Sequence, residues 1–173
     1  GDAYYKHSQL YTTVFGQVKF LNDFTFKTVF GYDYYMRRDK YSGSANELYS
    51  FSRKQVVTPA ASNDQIHVYI YNNHHYNWKW TNTLNWAHTF AKVHDVNALA
   101  GFEEGLFYGT YIDTNKYGVI DPTITDMSTV TNMDYIKGDD HESRFRSWFG
   151  RLNYAFDSKY LLELDFRYDG SSR

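Results

Sequence analysis

The 173-residue chain carries 18 Tyr, 13 Phe and 4 Trp, one aromatic residue in five, yet its mean hydropathy is −0.65. A formal net charge of −2 with no basic run argues against nucleic acid as a partner, and the absence of cysteine excludes a disulfide framework and any thiolate metal site. No stretch approaches the ~18 consecutive apolar residues of a membrane helix.

The core of a soluble domain is built mostly on Leu, Ile and Val. Aromatic residues set between Asn, Asp, Thr, Ser and Lys suit instead a wall with one greasy and one wet face. A β-barrel strand escapes the helix test, because only every second residue need be apolar. The chain opens Gly1-Asp2-Ala3 rather than with Met, which reads as a processed product or an internal piece.

Alternation with a period of two recurs in six segments. In the first, Leu10, Thr12, Val14, Gly16, Val18 and Phe20 share a face, and Tyr11, Thr13, Phe15, Gln17 and Lys19 take the other. After Asn22-Asp23 the pattern resumes, with Phe24, Phe26, Thr28, Phe30, Tyr32, Tyr34 and Met36 against Thr25, Lys27, Val29, Gly31, Asp33, Tyr35 and Arg37. The third segment keeps one parity from Ile66, Val68 and Ile70 through Tyr76, Trp78, Trp80, Leu84 and Trp86, and a single protruding strand explains that. Beyond Ala91-Lys92, Val96, Ala98, Ala100 and Phe102 alternate with Asp95, Asn97, Gly101 and Glu103.

The last two segments are the clearest. Trp148, Leu152, Tyr154 and Phe156 oppose Arg151, Asn153 and Ala155. After Asp157-Ser158-Lys159, Leu162, Leu164, Phe166 and Tyr168 oppose Glu163, Asp165, Arg167 and Asp169. A strand gathers those four charged residues on one side, where a helix would scatter them.

The connections carry a second signal. Tight ones at Asn22-Asp23, Ala91-Lys92 and Asp157 to Lys159 alternate with long ones at about Arg38 to Asp64 and about Thr110 to Glu142. Membrane barrels have this asymmetry, with short periplasmic turns and long extracellular loops. Pro59 and Pro122 both fall in the long loops, as the missing N–H requires. The fold class is therefore all-β, an antiparallel up-and-down transmembrane barrel segment of about six strands in three hairpins, placed in a bacterial outer membrane.

The cost of charge orients the wall. Arg or Lys facing lipid at the midplane costs ~2–4 kcal/mol, so the face with Phe24, Phe26, Phe30, Leu162, Leu164 and Phe166 points to lipid. Lys27, Asp33, Arg151, Glu163, Asp165 and Arg167 then face the lumen. Trp78, Trp80, Tyr154 and Tyr168 supply interfacial girdles. Arg144 and Arg146 share parity with Trp148, which is tolerable only where that end of the strand rises above the bilayer. Six strands fall short of the ~8 of the smallest outer-membrane barrels, and lipid does not allow open edges. The reading is an internal fragment, and the last residues, Gly170 to Arg173, lack a terminal aromatic.

Three groups of residues spell out a resemblance. They are Gly150-Arg151-Leu152-Asn153-Tyr154-Ala155-Phe156 with Lys159-Tyr160-Leu161-Leu162 and Arg167-Tyr168-Asp169-Gly170-Ser171-Ser172-Arg173; Thr83-Leu84-Asn85-Trp86 through Asn97-Ala98-Leu99-Ala100-Gly101-Phe102-Glu103; and Phe30-Gly31-Tyr32-Asp33-Tyr34. Together they resemble the SusC/RagA-like TonB-linked outer-membrane proteins of Bacteroidetes, and the long loops match nothing. The resemblance implies a 22-stranded barrel filled by an N-terminal plug, importing oligosaccharides or peptides with energy delivered through TonB, often beneath a SusD-like surface lipoprotein that acts as a lid. It makes residues 1–173 part of a single barrel domain, with plug and TonB box outside this chain. The implied partners are outer-membrane lipid, the lipoprotein, TonB and the substrate.

Ligand contact falls to aromatic residues expected at or above the outer rim: Tyr41, Tyr49, Phe51, Tyr69, Tyr71, Tyr108, Tyr111 and Tyr117. Their rings can stack on sugars or hold peptide side chains, or pack the loops together. His74 and His75 point to opposite faces of a strand and do not share one ion with His67. Asp139-Asp140-His141-Glu142 is rich in oxygen donors but lacks the spacing of a calcium loop. Nothing fixes a water or splits a carboxylate pair along Glu163, Asp165, Arg167 and Asp169. No catalytic residue, metal or cofactor is assigned, and the chain reads as no enzyme. Two rivals stay open: a complete small barrel acting as membrane enzyme or adhesin, with an extra strand around Leu48 to Val57, and a soluble β-sandwich that binds carbohydrate.

Overall fold

The computed structural model describes residues 3–172. Gly1, Asp2 and Arg173, the last residue of the C-terminal motif, lie outside the described residues. The strands are β1 (Ala3–Phe20), β2 (Phe24–Ser42), β3 (Leu48–Ser50), β4 (Gln55–Thr58), β5 (His67–Phe90), β6 (His94–Val119), β7 (Val130–Phe156) and β8 (Tyr160–Ser172). Six of them form one sheet in the order β1-β2-β5-β6-β7-β8, and β3 and β4 form a separate hairpin. The segment around Leu48 to Val57 thus adds no strand to the main sheet.

The three hairpins predicted from the sequence are present. Their turns have positive φ at both central residues: Leu21 and Asn22, Ala91 and Lys92, Asp157 and Ser158. This is the mirror-image turn whose twist matches that of the flanking strands. Asn22 and Asp157 suit it, because short polar side chains tolerate the left-handed region. Ala91 and Lys92, at φ 49° and 63°, pay a steric cost there. Lys92→Gly is expected to raise the stability of the receptor carrying this segment by about 0.5–1 kcal/mol, read as a higher midpoint in urea unfolding from lipid vesicles.

The strands run past their apolar patterns. β2 continues to Ser42, β6 to Val119, and β7 begins at Val130. The two long connections shrink accordingly to residues 43–66, which hold β3 and β4, and 120–129. Backbone pairing does not require a greasy face, so ladders continue where both sides are polar and alternation fades. Pro59 and Pro122 remain outside every strand.

The chain divides into two compact units. One comprises residues up to Gln9, Tyr35–His75 and Gly109–Asp140. It contains both long connections and a small dry core of Ile66, Val68, Val119 and Val130, against which Ala45, Ala61 and Met127 pack. Hydrogen bonds from Gly118 N–H to the Ile66 carbonyl (3.1 Å) and from Asn63 Nδ2 to the Ile120 carbonyl (3.2 Å) tie its segments together. The Asp121 carboxylate accepts from the Thr123 hydroxyl and N–H at 2.7 and 2.8 Å. Those bonds hold its pKa below the usual carboxylate range.

The other unit comprises Leu10–Tyr34, Tyr76–Tyr108 and the chain from His141 on, and it contains all three tight turns. Among its described residues, Leu106 is the only buried hydrophobic one. Trp148, Leu164 and Phe166 are 55%, 55% and 65% exposed. A soluble sheet would cover such side chains, at ~1.5–3 kcal/mol each.

Candidate functional site: a two-faced wall and an aromatic cluster

In the sheet unit, the β7–β8 register sets Leu152 across from Leu164, Tyr154 from Leu162 and Trp148 from Tyr168, while Arg151 faces Asp165 and Asn153 faces Glu163. One parity is apolar and the other polar. The apolar face ends in rings at both heights. Near the tight turns, Phe24 meets Phe20 (5.4 Å) and Trp86 (6.4 Å), and Phe156 meets His94 (5.1 Å) and Tyr160 (6.4 Å). Towards the other strand ends, Tyr76 meets Tyr32 (6.3 Å) and Tyr108 (5.4 Å).

Eight residues separate Phe24 from Tyr32, and ten separate Tyr76 from Trp86. At ~3.3 Å per residue and ~40° of tilt, these spacings span ~20–25 Å, the height of a membrane barrel's apolar band. Polar side chains within that band satisfy one another. Thr28 donates to Asn82 Oδ1 and accepts from Trp80 Nε1, each at 2.8 Å.

The polar face centres on Glu103, a residue whose partners the sequence does not reveal. Its carboxylate accepts from the Thr81 hydroxyl at 3.0 Å and lies 3.4 Å from Lys79 Nζ and 3.7 Å from Arg167 Nη2. Arg167 also donates to Asp169 (2.8 Å) and to Ser147 Oγ (3.2 Å). Arg151 Nε donates to Asp165 at 2.7 Å. Asp33 accepts from Asn77 Nδ2 at 3.0 Å, and Lys27 Nζ lies 5.9 Å from the centre of the Phe15 ring. Of the six residues expected on the wet side, Asp33, Arg151, Asp165 and Arg167 make polar side-chain contacts, Lys27 lies over a ring, and Glu163 lies across from Asn153. Lys79 and Glu103 carried the same signal, alternation opposite Trp78 and Phe102; their meeting with Arg167 depends on cross-strand register.

Arg144 and Arg146 lie on the apolar parity, beyond the ring pair of Phe102 and Trp148 (4.5 Å). Arg146 Nη2 meets Glu104 at 3.1 Å, and Arg144 Nε meets Glu142 at 2.7 Å.

The aromatic residues expected in the loops lie mainly in strands. Tyr41 sits near the end of β2, Tyr69 and Tyr71 on β5, and Tyr108, Tyr111 and Tyr117 on β6. In the other unit, Tyr71 and Tyr111 approach at 6.2 Å, and the Arg37 guanidinium lies 5.3 Å from the Tyr71 ring centre. Arg37 is held by Asp39, which is buried. Asn73 Nδ2 donates to the Tyr71 hydroxyl at 3.0 Å. Burial, and then the charge of Asp113, pushes the Tyr69 hydroxyl up, so it remains a donor. Tyr49 and Phe51 form a separate edge-on pair at 5.4 Å in the β3–β4 hairpin, and Tyr117 meets His67 at 5.5 Å. Tyr108 belongs to the ring band with Tyr76.

His75 stacks on Tyr35 at 4.7 Å. Asp139 accepts from the Asp140 N–H at 2.9 Å, while Glu142 holds Arg144 and His141 meets Phe107 at 6.1 Å. Such a cluster of two rings, a fixed guanidinium and amide donors can stack on and hydrogen-bond a solute.

Comparison with known proteins gives a consistent picture. No family model matches the chain. It is 30% identical over 169 residues to TonB-dependent receptor P39 of Formosa agariphila, covering 95% of this chain and 15% of that protein. It is also 30% identical over 99 residues to TonB-dependent receptor P26 of the same organism, covering 55% of this chain and 10% of the relative. The chain thus spans less than a sixth of the curated relatives it matches. Its fold matches a structure of the RagAB peptide transporter with a TM-score of 0.85 at 20% identity, over 98% of this chain and 18% of that one. The open-open state of the RagAB peptide importer matches with a TM-score of 0.86 at 21% identity, over 99% and 18%.

Proposed function

We propose that this chain, similar in sequence to TonB-dependent receptors and matching in fold a structure of the RagAB peptide transporter, forms part of the outer-membrane barrel wall of a SusC/RagA-like importer of oligosaccharides or peptides. The observation that carries the proposal is the two-faced sheet. An apolar face of membrane height, closed by rings at both ends, backs onto a face of paired charges. Lipid lies against Phe24, Phe26, Phe30, Leu162, Leu164 and Phe166. Lys27, Asp33, Arg151, Glu163, Asp165 and Arg167 line the interior, where fixed ion pairs give a polar solute path or a seat for a plug.

The remaining parts follow from the family reading. All 173 residues belong to one barrel domain, and the plug and TonB box are supplied by other parts of the receptor. A SusD-like lipoprotein covers the outer end, and TonB drives uptake. Of the eight aromatic candidates, Tyr71 and Tyr111 are the best supported as substrate contacts, because Arg37 and Asn73 add hydrogen-bonding groups beside their rings. Tyr108 is better suited to the membrane girdle.

Uptake of labelled oligopeptides and oligosaccharides by cells carrying the intact receptor tests this reading. Tyr71→Ala is expected to weaken apparent affinity about threefold to tenfold, the worth of one aromatic contact. Collapse of the proton gradient should abolish uptake. Uptake that persists without the gradient would contradict an energised importer, and unchanged affinity in a Tyr71→Ala/Tyr111→Ala variant would remove the cluster from the substrate path.

A further inference from the structure

Two arginines on the lipid-facing parity need a physical account. A cation facing lipid is expensive at the midplane and costs ~0–1 kcal/mol near the interface. Arg144 and Arg146 lie beyond the Phe102–Trp148 pair, with side chains 65% and 67% exposed. They border a groove of about 430 Å³ lined also by Trp78, Glu104, Leu106, Gly170 and Ser172. The β7–β8 register places Arg146 across from Gly170 and Arg144 across from Ser172, so the facing strand offers a gap and a small hydroxyl rather than a covering side chain.

Each guanidinium is hydrogen-bonded through a single N–H, and that of Arg146 also lies 5.8 Å from the centre of the Phe102 ring. Arg146 uses Nη2 on Glu104, and Arg144 uses Nε on Glu142. Among the described residues, Nε and Nη1 of Arg146 and both terminal nitrogens of Arg144 have no hydrogen-bond partner. The carboxylates therefore orient the two forks without saturating them. Below the groove, the apolar face continues through Phe102, Trp148 and Tyr168 towards Phe166 and Leu164.

We propose that this groove binds the phosphate of a phosphorylated glycolipid of the outer leaflet, with the acyl chains lying on the apolar face beneath it. Arginine matches a phosphate with paired N–H donors and sheds water more readily than lysine. The indole of Trp78 offers a flat wall of the kind that borders sugar rings at the interface. Glu104 and Glu142 balance the two guanidinium charges, so it is the remaining N–H donors above, together with continuity with a greasy band below, that select an amphiphile over a free anion. The inference rests on the proposed assignment of this parity to lipid.

The test is native mass spectrometry of the full-length receptor, extracted in detergent and titrated with monophosphorylated lipid A, its dephosphorylated form, or inorganic phosphate. The double variant Arg144→Ala/Arg146→Ala is expected to retain about tenfold less phosphorylated lipid than the natural receptor. The dephosphorylated lipid should bind both forms at that lower level. Heat-modifiable migration on a gel verifies that each barrel is folded, and Arg151→Ala, on the opposite face, should leave retention unchanged. Equal retention by the natural and double-variant receptors would overturn the site. Displacement of the lipid by millimolar inorganic phosphate would assign it to a free anion and overturn the lipid source. Loss of retention in Arg151→Ala, with none in the double variant, would overturn the face assignment itself.

Discussion

Leu164→Arg is expected to destabilise the intact receptor barrel by about 2–4 kcal/mol, as measured by reversible urea unfolding in lipid vesicles. Leu164 sits midway between Tyr160 and Tyr168 on β8, across from Leu152 and 55% exposed. In the lipid-facing reading its side chain lies near the bilayer midplane, where a guanidinium keeps little of its hydration. The neighbouring Glu163 faces the other side, across from Asn153. Glu163→Lys is accordingly expected to change stability by less than ~1 kcal/mol. A larger cost for Glu163→Lys than for Leu164→Arg would reverse the two faces.

The second large effect concerns two glycines under aromatic rings. A β-carbon on Gly105 would stand 2.5 Å from a ring carbon of Phe145 and 2.6 Å from the Trp78 carbonyl oxygen. The ring can swing aside, but the carbonyl belongs to the neighbouring backbone and cannot move without disturbing the strand. Gly105→Val is expected to cost about 3 kcal/mol, at the upper end of overpacking. The atoms nearest a β-carbon on Gly101 all belong to the Phe149 ring, the first at 2.2 Å. Gly101→Ala should therefore be relieved by Phe149→Ala, whereas Phe145→Ala should not relieve Gly105→Ala. The same unfolding assay arranged as two double-mutant cycles reads this difference. Relief in both cycles, or in neither, would contradict the contrast between a movable ring and a fixed carbonyl.

Both expectations depend on register, the part of the fold that the sequence shows least. Strand identity and sidedness were legible because alternation is local: Leu162, Leu164 and Phe166 declare their face without reference to any neighbour. The turns were legible for a similar reason, since Asn22-Asp23 and Asp157-Ser158 interrupt the pattern, although the first turn centres one residue earlier, on Leu21 and Asn22. The strand ends were not. From Gly109 to Val119 and from Val130 to Asp140 the ladder continues while alternation weakens, because pairing there is kept by backbone hydrogen bonds rather than by a greasy face. That is why Tyr111 and Tyr117, inside the second of the expected long connections, lie in a strand.

The candidate site divides along the same line. That Arg151, Asp165 and Arg167 share a side follows from parity; that Glu103 bridges Lys79 and Arg167 follows only from how four strands align. Arg144 and Arg146 looked out of place because parity carries no information about height. Their pairing with Glu142 and Glu104, beyond Trp148, gives each guanidinium a carboxylate partner.

The central claim, that β8 belongs to a membrane-spanning wall with its even-numbered residues in lipid, is tested most directly by spin labels placed one at a time at residues 161 to 168 of the intact receptor in lipid vesicles. The account predicts that collision with dissolved oxygen peaks at positions 162, 164 and 166 and falls at 163, 165 and 167, with a water-soluble nickel reagent excluded from the first set. Free access of the nickel reagent to 162, 164 and 166, or oxygen collision without a period of two, would contradict it.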